Sequence, residues 1–340
     1  MLVDKKENSR IGSFDVLRIL FVLMVCYIHS VNTYSSIALT FMRVAVPGFF
    51  VITGYFLIDS LRKNKLKGQL FKTLQLFFTG WLLYLIWEGA KAVHRGTVLE
   101  YGITQFHPKA LFELFFLCHP QVGGHLWFLL AQFWGLLLIG ILYEKHCMQI
   151  LYPWMILGWL VLLIFGKYSV LFFHTDITMF YTQNAICVAV PFMAMGMCLR
   201  KNRKNLMRAV SVQKNIIYLC FSYFFALAER ASLLHFQIMG SRDFYIGTIF
   251  FVWWLFVLAI RFPNISRLQF IAMIGQNYTA GMYIIHIWVL DIVEKVTNNI
   301  FVVYPLNTLI CHTKFLIVFL LSLGTVILWK KIQIKTCKIL

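Results

Sequence analysis

Charge is what this sequence has least of, and acid above all. Asp and Glu together number 13 in 340 residues, against 31 Lys and Arg, and the four types make up only 13% of the chain. Soluble domains carry roughly 25%. So few charges cannot clothe a water-facing surface, which excludes an ordinary soluble fold. Also missing are a Walker loop, a Rossmann fingerprint and a Gly-x-Ser-x-Gly elbow. No internal repeat, low-complexity tract or second soluble segment breaks the chain. The eight cysteines are scattered, with no spacing suited to zinc or to a disulfide framework, and they read as small apolar residues of a helix bundle. A cleavable signal peptide is not expected either, because the first apolar run is too long and carries Arg18 and His29.

What the sequence does hold is apolar: 60% hydrophobic residues and a mean hydropathy of +0.76. A hydrocarbon core about 30 Å thick needs roughly 20 apolar residues per helical crossing, and such stretches recur throughout. They run on continuously instead of alternating with period two, which favours helices over a barrel. The pattern predicts crossings at 14–33, 39–57, 70–93, 125–143, 151–165, 184–199, 215–234, 244–260, 270–293 and 308–329. The stretch 111–118 is too short to span and reads as an interfacial helix or a plug over the bundle. The expectation is an all-α, polytopic transmembrane bundle of about ten helices, one membrane-embedded domain filling 1–340.

Basic residues set the orientation. With the N-terminus inside, 21 of the 31 Lys and Arg fall on the inner side, loop after loop. Both termini and the 200–214 loop are therefore expected in the cytoplasm, in a cell membrane. The net charge of +18 follows from this topology, with attraction to anionic lipid on the inner face. No segment forms the soluble basic surface that nucleic-acid binding needs.

Ionisable groups inside a bundle are costly and so mark candidate sites. The first span, FDVLRILFVLMVCYIHS, carries Asp15, Arg18 and His29. Arg18 and His29 lie three helical turns apart on one face, about 16 Å from each other, and Asp15 is placed to pair with Arg18. The plain alternative is a snorkelling arginine and an interfacial histidine. The second span begins at Arg43, with Pro47 and Gly48 loosening the helix and Gly54 permitting close packing or ligand approach; Arg43 is either an interface anchor or a cavity residue. Glu229 and Arg230 near the outer end of the seventh span face different partners, as a structural ion pair or as site residues. His286 and Asp291 form a His-x4-Asp string, but five helical residues set them on different faces and the match reads as chance. His125 opens the fourth span behind two glycines. His107 and His119 on the preceding loop suggest no metal site.

At these residues the chain resembles the acyltransferase-3 family of integral membrane acyltransferases. The resemblance covers nearly the whole sequence and is carried by FDVLRILFVLMVCYIHS, RVAVPGFFVITGYFL, HLWFL and IGQNYTAGMYIIHIWVL. Its most specific element is an Arg, ten residues and a His in the first span; Thr53 stands where the family usually has Ser. The resemblance implies an enzyme moving an acyl group, usually acetyl, from cytoplasmic acyl-CoA to a hydroxyl of a cell-envelope polysaccharide or lipid-linked sugar. No metal or resident cofactor is implied; acyl-CoA is the donor substrate. His29 and Arg18 would be the essential pair, with Glu229 the best-matched acidic residue, and Arg43, Arg230, His125, Tyr55 and His286 would line the substrates.

Acyl transfer needs a base for the acceptor hydroxyl, which histidine supplies near neutral pH. It also needs positive charge for the developing oxyanion and for the phosphates of CoA. Arg18 and the basic loops at 62–67 and 200–208 suit the donor. Two other classes share polar residues inside a bundle: a transporter or flippase, which would show paired broken helices or repeats, and a non-catalytic membrane domain. The sequence leaves the acceptor, the acyl group and the oligomeric state open.

Overall fold

A computed structural model describes residues 11–30, 37–177, 182–240, 244–264, 266–300 and 306–336. Among these the regular structure is helical, without a strand. The helices are α1 Gly12–Ser30, α2 Ile37–Met42, α3 Ala45–Arg62, α4 Leu66–Arg95, α5 Val98–Phe106, α6 Pro108–Phe116, α7 Trp127–Glu144 and α8 Leu151–Ile164. They continue as α9 Ser169–Phe173, α10 Val190–Ala209, α11 Val212–His235, α12 Ile246–Arg261, α13 Gln269–Asn277, α14 Thr279–Ile300 and α15 Leu306–Thr336. Seven segments are long and apolar enough to cross a membrane, and 148–164 and 246–261 are apolar but shorter. Helices stand at all ten predicted positions. The last residues of the first predicted crossing, and both chain termini, lie outside the described residues.

Contacts across the bundle gather the helix ends into two faces. On one, Gly12 N–H donates to Pro263 O at 2.8 Å, Arg200 pairs with Asp59 at 3.1 Å, Arg261 donates to Val210 O and Lys330 to Asn277 O. The start of α1 and the basic loops at 62–67 and 200–208 therefore share this first face. On the opposite face Lys314 pairs with Glu294 at 2.9 Å and Lys167 donates to Gly240 O at 3.1 Å. The short segment expected near 111–118 is α6; with α5 it fills the connection on this opposite face, leaving Phe112, Phe115 and Phe116 exposed.

Small residues bring backbones together where the site forms, as in membrane bundles generally. A Cβ on Gly54 would lie 2.0 Å from Met193 O, and one on Gly196 would lie 2.2 Å from Val51 O, so α3 and α10 touch along their main chains. The close approach expected of Gly54 is to a helix. Gly275 does the same for α13, since a Cβ there would sit 1.8 Å from Asp15 O on α1. The ninth predicted crossing is not one straight helix: it breaks at Tyr278 into α13 and α14, with Thr279 Oγ1 donating to Gly275 O at 2.7 Å. This bond joins the start of α14 to the α13 turn that packs on α1.

Candidate functional site

The first helix delivers two of the expected residues. Near its start Arg18 Nη1 holds Asp15 Oδ1 at 2.5 Å, the pairing expected from their spacing, with Asp15 almost fully buried. Arg18 also lines a cavity of about 160 Å³ with Phe49, Thr53, Gln132, Thr279 and Tyr283. Thr53 Oγ1 donates to Phe49 O at 3.0 Å and lies 3.4 Å from the Gln132 amide, which gives this apolar pocket a polar wall. Three turns on, His29 is exposed at the other end of the helix.

Around His29 the structure assembles three histidines. The ring centroids of His29 and His286 are 5.3 Å apart, those of His125 and His286 4.8 Å, and those of His29 and His125 6.4 Å. Each ring comes from a different helix or helix start. The two glycines before His125 produce a tight turn, with Gly123 at φ +64°, that leads into a short 3-10 turn over Gly124–Leu126. His286 and His125 are both buried, at 0% and 7% exposure, so His29 is the accessible member. Among the described residues no cluster of His, Cys, Asp and Glu is disposed to hold a metal ion.

A pair of tyrosines locks this cluster. Tyr84 OH donates to Ile284 O at 2.8 Å and accepts from Trp288 N–H at 3.1 Å. Those two backbone groups are i, i+4 partners of the helix, so Tyr84 ties α4 to α14 at the turn that carries His286. Tyr283 OH donates to His125 O at 2.5 Å, and His125 Nε2 lies 3.2 Å from Ile284 O.

Beyond Tyr84 toward the opposite face opens a larger cavity of about 610 Å³, lined by Trp87, Glu88, Glu100, Gln121, Trp288 and Asp291 among others. Trp87 and Trp288 meet edge to face at 5.7 Å. Asp291 accepts from Trp87 Nε1 at 2.6 Å and pairs with Lys91 at 2.8 Å, while Glu88 pairs with Lys91 at 2.6 Å. Asp291 is thus held away from His286, in keeping with their different helix faces. Tyr101, on α5 at the cavity wall, has its phenol pKa raised by burial and by the Glu88 carboxylate.

Other expected site residues lie elsewhere. Glu229 does not join the histidines: it accepts from Tyr168 OH at 2.5 Å and from the N–H groups of Ile246 and Gly247 at 2.9 and 3.1 Å. It caps the start of α12, where free N–H groups and the helix dipole favour a carboxylate. Tyr55 is also displaced from the expected substrate wall. It is fully buried against Phe14, at 5.0 Å, with the Arg200 guanidinium over its ring. Arg43 is half-buried in the turn between α2 and α3, and Arg230 half-buried near the end of α11. The sequence reading missed Tyr84, Trp87 and Gln132. The HLWFL and YIIHIW strings pointed to their neighbours, but nothing local signalled that α4 would supply a hydroxyl to α14.

The histidine cluster thus has a polar-walled pocket on one side and a wider cavity on the other. Residues 11–329 match the acyltransferase domain model of the acyltransferase-3 type, and the chain belongs to that family. It carries the family's acyltransferase domain on a bundle in which seven segments are long and apolar enough to cross a membrane. It is also similar to an Enterococcus faecalis protein named amino-acid racemase, 31% identical over 150 residues. The match takes in 40% of this chain and 20% of that protein. No solved structure matches it.

Proposed function

We propose that this protein moves an acyl group, most simply acetyl, from acyl-CoA to a hydroxyl of a cell-envelope polysaccharide or lipid-linked sugar, at His29. The observation that carries this reading is the histidine cluster standing between two cavities of unlike character. The narrow one holds Arg18 and lies toward the face bearing the basic loops 62–67 and 200–208, which suits a thin pantetheine arm whose phosphates stay among cations. The wide one combines tryptophan faces with carboxylate and amide groups, a lining that suits sugar rings and hydroxyls.

In this mechanism His29 takes the proton of the acceptor hydroxyl as its oxygen attacks the thioester carbonyl. The C–S bond then breaks, and the protonated His29 returns the proton to the CoA thiolate. Arg18 stands on the donor side, held by Asp15. We place the basic-loop face in the cytoplasm of a bacterium and the protein in its plasma membrane. The racemase name belongs to a protein of which this chain spans 20%, so the family activity, not racemisation, is taken for this chain.

The test is purified protein in lipid nanodiscs with acetyl-CoA, following release of the CoA thiol. Envelope glycan from cells with and without the gene is compared by mass spectrometry in parallel. Thiol release that depends on His29, and an acyl mass on the glycan only when the gene is present, support the reading. No thiol release from an inserted, monodisperse protein with any envelope extract overturns it.

A further inference from the structure

The cluster holds a feature that the proposed mechanism leaves unused. His286 Nδ1 lies 2.7 Å from Tyr283 O, on its own helix one turn back. A carbonyl oxygen only accepts, so Nδ1 carries the hydrogen and Nε2 is left with a bare lone pair. The same logic applies to His125: its Nε2 faces Ile284 O, so its hydrogen sits there and Nδ1 is bare. His286 Nε2 is completely buried and has no hydrogen-bond partner. A buried polar atom left so is destabilising, and its neighbours are the rings of His29 and His125. Two bare lone pairs cannot bond each other. What the cluster accommodates is a hydrogen-bond donor or a proton, and His29 is the accessible ring from which either would come.

We infer that His286 is the positioning residue for the base of the reaction: its bare Nε2, fixed by the Tyr283 carbonyl and unbonded in this structure, takes the N–H of His29 when the exposed His29 ring turns toward it on substrate binding. This rests on His29 being the base, as proposed above. The acceptor O–H bond breaks and its proton goes to one nitrogen of His29. In that turned position the hydrogen already on the other His29 nitrogen is given to His286 Nε2 as a hydrogen bond, and after C–S cleavage the added proton passes to the CoA sulfur. His286 gains and loses nothing. It orients the imidazole and stabilises its charged form, the part that the third member of a triad plays elsewhere. The residue before the reaction and the residue after it are the same tautomer.

Three variants separate the possibilities: His29→Ala, His286→Met, which keeps bulk but removes the acceptor, and His286→Gln, which restores a side-chain acceptor. Each is measured per inserted molecule. The expected result for His286→Met is a fall in kcat of about 100-fold with little change in KM for acetyl-CoA, and His286→Gln recovers a substantial part of it. If His29→Ala is inactive but His286→Met keeps kcat within twofold, the positioning role is overturned while the base assignment stands. If His29→Ala itself is active, the base assignment fails first. Should His286→Met not insert, the imidazole nitrogen spectrum of the unaltered protein decides: a hydrogen on Nε2 of His286 overturns the inference, and a bare Nε2 supports it.

Discussion

His29 and Glu229 show how differently two ionisable residues at the same end of a bundle can be employed. His29 is exposed, beside a buried ring whose lone pair is unused. Removing it should cost about 10²–10⁴-fold in turnover with inserted protein near its normal level, read as CoA thiol release per molecule in nanodiscs. Arg18→Lys should also be poor, because a lysine cannot reproduce the planar contact that the guanidinium offers to Asp15 and to an anionic donor. Glu229 accepts three hydrogen bonds, two of them from the first N–H groups of α12. Glu229→Gln should therefore weaken the fold, by about 1–3 kcal/mol for the lost charge-assisted bonds, and leave specific activity unchanged. A Gln variant that inserts normally but loses turnover would return Glu229 to the site.

At the scale of the helix, the site depends on registration that side-chain chemistry alone does not reveal. α13, which leads into α14, is held against α1 at Gly275, and Tyr84 from α4 bonds two backbone groups of α14. Tyr84→Phe removes one hydroxyl that both donates and accepts, so Ile284 O and Trp288 N–H lose the bonds that tie the turn carrying His286 to α4. The expected cost to stability is small, about 1 kcal/mol, while kcat falls; equal losses in thermal stability and kcat across Tyr84→Phe and a control outside both cavities, such as Tyr218→Phe on the exposed side of α11, would count against this role for Tyr84. Gly275→Leu should be worse than either, because backbone cannot move aside for it. An overpacked contact of this kind costs about 1–3 kcal/mol, visible as a lower melting temperature and less monodisperse protein.

The whole molecule was legible in the sequence to the extent that its physics is one-dimensional. Apolar run length found helices at all ten positions, and the period of 3.6 placed Asp15 against Arg18. Residues whose meaning comes from another chain segment were not legible. The convergence of His29, His125 and His286 joins positions more than 90 residues apart in sequence, and Glu229 could be seen as a cap only once the start of α12 lay beside it. The break at Tyr278 escaped notice because a helix interrupted for one residue keeps its hydropathy. The separation of the two cavities is likewise a property of the bundle, and it divides the two classes of function that the composition permits. An acyltransferase brings two substrates to one barrier, whereas a transporter opens that barrier to one substrate in turn. In a background without other cysteines, Thr53→Cys lies in the narrow cavity and Gln121→Cys in the wide one. An impermeant thiol reagent added to intact cells should label position 121 and not 53, and added to inverted membranes should label 53 and not 121, with acetyl-CoA protecting 53. Labelling of both positions from one side, rising with a substrate gradient, would show the histidine barrier opening and would favour transport over transfer.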